Sequence, residues 1–132
     1  GSVISAKTNH NTIPCYIFKR SQVLISISPK DFSFIGEDNL SLIFGLFAHF
    51  GVKINLMQNS ALSFSVCADY KPEKLTALID ELMTEFTVKY NLNMELITIR
   101  NYDQKTIDKV LRNRKILLEQ KNRLTIQMVV AE

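Results

Sequence analysis

Four uncharged side chains that form hydrogen bonds lie close together near the middle of the chain: Asn55, Gln58, Asn59 and Ser60. Amides and a hydroxyl of this kind can bind a small polar molecule. The cluster contains no nucleophile beside a base and no set of metal ligands, which catalysis would need. It therefore predicts recognition of a ligand, with no catalytic residues and no bound metal.

Two short strands are predicted on either side of this cluster. Apolar and polar residues alternate over Val52–Met57 and again over Leu62–Cys67, the period-2 pattern of strands with one buried face. The cluster then occupies the elbow between the strands. A helix is predicted before them: Asp38 or Asn39 is expected to cap it, and Gly51 to end it by permitting a positive φ.

The other elements are predicted from the same two periodicities. Residues 19–22 and Asn93 are expected to form turns. The predicted strands cover 13–18, 23–27, 87–92, 95–100 and 124–130, and the further helices cover 72–86 and 103–120.

This order of elements predicts an α+β fold. Residues 22–92 form strand-helix-strand-strand-helix-strand, the ferredoxin-like βαββαβ arrangement. Residues 13–18 together with 94–130 form an incomplete second unit of three strands and one helix. Residues 1–12 are polar and are expected to be a linker.

Length and composition set wider bounds. With 132 residues, 46% of them hydrophobic, the chain fits one domain or one domain with an appendage. The chain contains no run of eighteen apolar residues, so no membrane span is predicted. Its polar start does not resemble a signal peptide. Cys15 and Cys67 show no metal spacing and are expected to be buried, reduced thiols in a cytoplasmic protein.

The net charge of +3 comes mainly from basic residues in the last third of the chain. These residues are interpreted as the solvated face of a helix, because no aromatic residues alternate with them to stack on nucleic-acid bases. We therefore expect no nucleic-acid partner. His10 and His49 lie far apart in sequence, and neither is expected to be catalytic or to bind a metal.

A ligand site is predicted where the first helix begins. Free backbone N–H groups and the positive end of the helix dipole attract a carboxylate there. Side-chain carbonyls of the Asn55–Ser60 elbow could accept from an ammonium group, so the pair suits a zwitterionic amino acid. The alternative is that Asn59 and Ser60 only stabilise a turn and that Asn39 only caps the helix.

The run from Val23 to Val66 resembles the first regulatory ACT domain of aspartate kinase (aspartokinase). The resemblance rests on the Phe44-Gly45 pair in the first helix, the strand from Val52 to Asn55 and the hydroxyl-rich elbow after it. It extends over roughly residues 13 to 130. The first four residues also resemble the segment that closes the kinase domain of that family.

The resemblance implies a function for the chain. Aspartate kinase phosphorylates L-aspartate with ATP and Mg, in the pathway to lysine, threonine and methionine, and ACT units of two subunits pair around a feedback amino acid. The chain is then a regulatory portion, not itself an enzyme and without a cofactor, whose partners are that amino acid, a second copy and an N-terminal kinase domain. The effector-binding residues implied by the resemblance are Asp38, Asn39, Leu40, Asn55, Asn59 and Ser60.

Two features depart from the family pattern. Lysine-sensitive members carry an aspartate where this chain has Asn55 and an acid where it has Ala61, and an ammonium group buried without a partner is costly. Lysine and threonine therefore both remain candidate effectors, and the alternative is a ligand-free structural dimerisation module. The second ACT unit is also expected to be shortened after Arg100.

Overall fold

The computed structural model of the chain describes residues 13–31, 35–60 and 62–132. The predicted α+β fold is confirmed: the strands are antiparallel and the helices pack on them. The predicted linker 1–12 lies outside the described residues. The strands are β1 (Cys15–Pro29), β2 (Ile54–Asn59), β3 (Phe64–Asp69), β4 (Phe86–Arg100), β5 (Ile116–Lys121) and β6 (Thr125–Ala131), and the helices are α1 (Glu37–His49), α2 (Pro72–Glu85) and α3 (Gln104–Leu111).

The chain divides into two units, called here the central unit (Ser21–Met94) and the outer unit (Gly1–Arg20 with Glu95–Glu132). In the central unit the strand order is β2-β3-β1-β4. β3 pairs antiparallel with both of its neighbours. With a helix after β1 and another after β3, this is the ferredoxin-like βαββαβ arrangement.

The core of the central unit lies between its sheet and its two helices. α1 buries Ile43 and Phe47, and α2 buries four residues at helical spacing, as expected for amphipathic helices on a sheet. Alternate residues of the strands supply the other side of this core. Its buried members in the described part of the unit are Val23, Ile25, Ile27, Ile43, Phe47, Val52, Phe64, Val66, Ala68, Leu75, Leu78, Ile79, Leu82, Phe86 and Val88.

The outer unit contains the first part of β1, the second part of β4, and β6 and β5, in the order β1-β4-β6-β5. In the part of this unit that the structure describes, one helix, α3, packs on the strands. It begins with a capping box between Asp103 and Thr106, which satisfies two orphan donors at the helix start. The core beneath it consists of Ile97, Ile99, Ile107, Ile126, Met128 and Val130.

The turns predicted at residues 19–22 and at Asn93 are wrong, because β1 and β4 each continue for 15 residues through these positions. Ser21 and Asn93 nevertheless adopt positive φ values of 55° and 58°. One left-handed residue departs locally from the extended conformation without ending the strand. The polar residues at these positions therefore indicated a real irregularity of the backbone. They did not mark the end of a strand, as predicted.

The helix predicted over residues 103–120 is also wrong, since α3 ends at Leu111 and residues 116–121 form β5. Arg112 and Asn113 are both left-handed, with φ of 51° and 68°, a conformation that terminates a helix. β5 pairs with β6, so the apolar residues of segment 116–121 belong to a strand of the sheet and not to a helix. Lys105 and Lys109 are exposed on α3 as expected, whereas the basic residues from Arg112 onward follow the helix and do not share a face with them.

Candidate functional site

The first part of the predicted site is the start of α1. The helix is capped by the backbone of Gly36, with no side-chain cap, so the expectation that Asp38 or Asn39 caps it is wrong: both residues lie inside the first turn. The Leu40 N–H donates to Gly36 O over 3.1 Å, and its side chain packs on the central core. The backbone N–H groups of residues 37–39 have no acceptor within the helix, because they belong to its first turn.

The second part is the elbow after β2. Asn59 is the last residue of β2 and is exposed. Ser60 is engaged within the turn: its hydroxyl donates to Ser63 O over 3.0 Å and accepts from the Ser63 N–H over 3.2 Å. The Ser60 N–H also donates to Ser63 O over 2.9 Å. The turn-forming role of Ser60 is therefore present in the structure.

The third part, Asn55, belongs to a polar network across three strands. Its amide donates to Gln22 Oε1 and to Asp69 Oδ1, both over 2.7 Å. Gln22 in turn donates to Asp69 Oδ1 over 2.9 Å, and the Cys67 thiol donates to Gln22 Oε1 over 3.4 Å. Gln22 is only 2% exposed, so these hydrogen bonds satisfy a polar group that would otherwise be costly to bury.

The strand register separates Asn55 from the elbow. Gln22 pairs with Asp69 at one end of the central sheet, whereas Asn59 pairs with Phe64 at the other. Four residues along a strand correspond to about 13 Å. Asn55 and Asn59 therefore lie at opposite ends of β2.

The start of α1 lies at the elbow end. The end of the helix is tied to the entry of β2 by the bond from Val52 N–H to Phe47 O, of 3.0 Å. A 13-residue helix is about 20 Å long, so its start lies near the opposite end of β2. The ring of Phe44 contacts Phe64, the strand partner of Asn59, at 5.4 Å between centroids. One copy of the chain thus brings the helix start and the elbow to the same end and leaves Asn55 at the other.

This arrangement offers hydrogen bonds and a helix dipole. Within residues 13–31, 35–60 and 62–132, no three His, Cys, Asp or Glu side chains are grouped so that they could hold a metal ion. Over the same ranges, no helix is long and apolar enough to cross a membrane. The site is suited to binding a small polar ligand.

Comparisons with solved structures identify the fold. The chain is similar to a proposed C-terminal regulatory domain of aspartate kinase from Porphyromonas gingivalis W83, with a TM-score of 0.76 and 14% identity over 91% of this chain and 87% of that one. It is similar to E. coli aspartokinase III in complex with lysine and aspartate, with a TM-score of 0.70 and 17% identity over 89% of this chain. The fold is that of aspartokinase regulatory domains.

The extent of the aspartokinase likeness also matters. The chain spans 29% of E. coli aspartokinase III but 89% of the ligand-free regulatory subunit of aspartate kinase from Thermus thermophilus, with a TM-score of 0.63 and 9% identity. Neither a protein-family model nor a curated protein matches the chain. The predicted resemblance to the regulatory portion of aspartate kinase is confirmed at the level of fold.

Sequence reasoning missed two members of the Asn55 network, Gln22 and Asp69. Neither carried a signal, because the distance between them is set by pairing of β1 with β3, 47 residues apart. Cys67 was correctly expected to be buried, whereas Cys15 is exposed. The roles predicted for Asp38, Asn39, Leu40, Asn55, Asn59 and Ser60 in effector binding stay predictions.

Proposed function

We propose that the chain is the allosteric regulatory portion of an aspartate kinase. It binds a feedback amino acid, lysine or threonine, at a dimer interface and so controls the phosphorylation of L-aspartate by an N-terminal kinase domain in the cytoplasm. The observation that carries the proposal is the likeness in fold to aspartokinase regulatory domains over about nine-tenths of the chain. ATP and Mg are then ligands of the kinase domain, and this portion is not catalytic.

The proposed effector site lies at the end of the central unit where α1 begins. The amides of residues 37–39 bind the carboxylate of the amino acid, and the side chain of Asn59 in the elbow accepts from its ammonium group. Glu37 and Asp38 lie in the same helical turn and reduce the attraction for an anion. A zwitterion suits this position better than a simple anion does.

A second copy of the chain completes the site with Asn55. β2 is the edge strand of the central unit, and an edge strand has unpaired backbone groups that can pair with another chain. Antiparallel pairing of two β2 edges about a two-fold axis would place the Asn55 end of one strand beside the Asn59 end of the other. Within one copy, Asn55 and Asn59 are about 13 Å apart along β2, too far to contact the same amino acid. A second copy is therefore needed to bring both residues to one site.

Apolar exposure near this edge supports pairing. Met57 on β2, Leu62 after the elbow and Phe44 on α1 are all exposed, at 45%, 60% and 37%. Clustered exposed apolar side chains commonly mark interaction surfaces. Burying them between two copies would add to the backbone pairing of β2.

Asp69 makes lysine the first effector to test. The sequence lacks the acids at positions 55 and 61 that would receive the second ammonium group of lysine. The structure places the Asp69 carboxylate 2.7 Å from the Asn55 amide, so a carboxylate is present at this end of the sheet after all. Threonine, which needs no such partner, is the second candidate.

Regulation follows from differential affinity. An amino acid that binds one arrangement of the paired units more tightly shifts the population toward that arrangement. The shift in the equilibrium between the two arrangements is limited by the ratio of their effector affinities, and the activity of the attached kinase domain follows that population.

The alternative is a structural dimerisation module that binds no ligand. It is supported by the engagement of Asn55 in its own network and of Ser60 in its own turn. Both residues then stabilise the fold of the central unit, and the exposed apolar edge serves pairing alone.

The test is a thermal-shift and calorimetric screen of the 132-residue chain against the twenty amino acids, with the oligomeric state measured by light scattering. A ligand at 100 times its Kd stabilises the folded state by about 2.7 kcal/mol. Asn59→Ala should abolish the shift, whereas Asn91→Ala, an exposed residue of β4, should retain it. A dimer that responds to no amino acid would establish the alternative instead.

Pairing through β2 has its own test. Met57→Glu puts a charge on the exposed edge and should yield a monomer, whereas the same change at Met83, which is exposed on α2, should leave a dimer. A dimer that persists in Met57→Glu would show that the two copies associate elsewhere.

A further inference from the structure

The outer unit contains a cavity of about 620 Å³ between the first part of β1 and the end of α3. This volume lies within the range of small-molecule sites, about 300–1,000 Å³. Among the described residues, its charged lining consists of four cationic side chains and one carboxylate, a net charge of +3. The net charge of the whole chain is also +3. The excess of positive charge is therefore concentrated around this cavity.

The carboxylate, Glu95, is already neutralised within the fold. It is buried, with its side chain 6% exposed, and it forms ion pairs with Arg114 at 2.8 Å and with Arg20 at 3.6 Å. A buried carboxylate needs such partners, because an unpaired one is costly. Glu95 therefore orients the two arginines and contributes little negative charge to a ligand.

Arg114 also changes the electrostatics of the end of α3. Its Nε donates to Leu111 O over 3.1 Å and its Nη2 to Val110 O over 3.0 Å. The carbonyl end of a helix ordinarily repels anions. Here a guanidinium covers those carbonyls, so the end of α3 can face an anionic ligand.

Two further cations face the cavity from the same helix end, Lys109 and Arg112. Both are exposed, and in the described part of the chain neither forms an ion pair. Lys109 lies in the last turn of α3 and Arg112 directly follows the helix, so both cations lie at the same helix end. They are the groups placed to bind phosphate or carboxylate oxygens.

The opposite wall is aromatic. Tyr16 and Phe18 on β1 stack with their planes 8° apart and their centroids separated by 6.4 Å. They are two residues apart on a strand, so both project from the same face. Both rings are partly exposed and provide a flat apolar surface beside the cations.

We propose that this cavity binds a nucleoside phosphate, with the base against Tyr16 and Phe18 and the phosphate on Lys109 and Arg112. Stacking on aromatic side chains is favourable for any base, and a phosphate accepts charge-assisted hydrogen bonds from both cations. This site lies in the outer unit and does not depend on the amino-acid site proposed in the central unit.

The experiment is isothermal titration of the 132-residue chain with AMP and ATP, and with two partial ligands: adenosine, which lacks the phosphate, and inorganic pyrophosphate, which lacks the ring. Both nucleotides should bind more tightly than either partial ligand. Absence of nucleotide binding at millimolar concentration would overturn the proposal, as would pyrophosphate or adenosine binding as tightly as AMP.

Matched variants test the assigned residues. Arg112→Ala and Lys109→Ala should each weaken nucleotide binding by roughly tenfold to hundredfold, since a hydrogen bond to a charged group is lost. Arg123→Ala and Lys105→Ala remove the same charges from exposed positions outside the cavity and should retain binding. Phe18→Leu should weaken AMP but not pyrophosphate.

Equal losses in the cavity variants and in their controls would show nonspecific attraction to a basic protein and would refute the site. Because neither lysine nor threonine is a ligand here, failure of this proposal leaves the amino-acid titrations unaffected. The two proposals can therefore be refuted separately.

Discussion

The central and outer units share a strand order but cover their sheets differently. In the central unit, strands in the order β2-β3-β1-β4 are served by two helices. The outer unit has the order β5-β6-β4-β1. This is the same order if β4, β5, β6 and β1 are taken as its first, second, third and fourth strands. Among the described residues, its one helix is α3. Among the described residues, the same strand order is thus covered by two helices in the central unit and by one in the outer unit.

The two units also bury polar groups by different means. The central unit uses an uncharged amide, Gln22, linked to Asn55 and Asp69. The outer unit uses a carboxylate, Glu95, held by Arg114 and Arg20. Among the described residues, the apolar cluster under two helices has fifteen buried members and the cluster under α3 has six. Each buried polar side chain is thus paired within its own unit, by amide hydrogen bonds in one and by opposite charges in the other.

The largest effect is expected in the central core. Phe47→Ala removes a ring that is 2% exposed and leaves a cavity under α1, which should cost about 3–5 kcal/mol of unfolding free energy. Leu42→Ala on the same helix, at a position 43% exposed, should change it by less than about 1 kcal/mol. Urea unfolding measures both. Equal losses would mean that α1 does not seal the core.

The next effect is in the outer unit. Glu95→Gln keeps the shape of the side chain but leaves Arg114 without its counter-charge, which should cost about 2–3 kcal/mol. The loss is smaller than for a fully buried pair because the Arg114 side chain is 30% exposed.

Glu119→Gln, at an exposed position of β5, is the matched control for Glu95→Gln and should be nearly neutral in urea unfolding. If Glu95→Gln proved equally neutral, the ion pair would contribute nothing measurable to the stability of the outer unit, and the contrast between its charge pairing and the amide bonding of the central unit would have no energetic basis.

A smaller effect is expected from the central polar network. Gln22→Ala removes one of the two acceptors of Asn55, the acceptor of the Cys67 thiol and a donor to Asp69, which should cost about 2 kcal/mol. Gln58→Ala on β2 removes an exposed amide and serves as the control. Thermal unfolding separates the two. A neutral Gln22→Ala variant would indicate that water enters and replaces the amide.

The smallest effects distinguish the two kinds of helix end. Gly51, after α1, has φ of 68°, and a Cβ there would lie 3.4 Å from Lys74 Nζ; Gly51→Ala should cost about 1–2 kcal/mol. Asn113, after α3, also has φ of 68°, so Asn113→Gly should be neutral or stabilising by a few tenths of a kcal/mol.

Gly45→Ala is the control for these helix-end substitutions. A Cβ at position 45 meets nothing within 4 Å, so the variant should stabilise α1 by about 0.5–1 kcal/mol. Calorimetry of the three variants gives the comparison. A stabilising Gly51→Ala would show that the left-handed residue does not constrain the end of α1.

The sequence was most informative where periodicity was long and unambiguous. The apolar stripe of α2 and the alternation in β2 and β3 predicted the central unit, because a buried face leaves a regular pattern in the chain. The sequence was least informative at residues 103–120. There the apolar residues of α3 and those of β5 together fit the spacing of one continuous helix. Position 95 did carry a signal: a single acid in the apolar run from Met94 to Ile97 indicates a buried charge with a distant partner.

The sequence by itself determined the α+β class, the end of α1 at Gly51 and the polar elbow at Asn59 and Ser60, since each depends on residues adjacent in the chain. Only the tertiary structure decided that Asn55 bonds Gln22 and Asp69, and that Tyr16 and Arg112 line the same cavity. Strand pairing brings together side chains that are distant in sequence, and no local pattern records which of them meet.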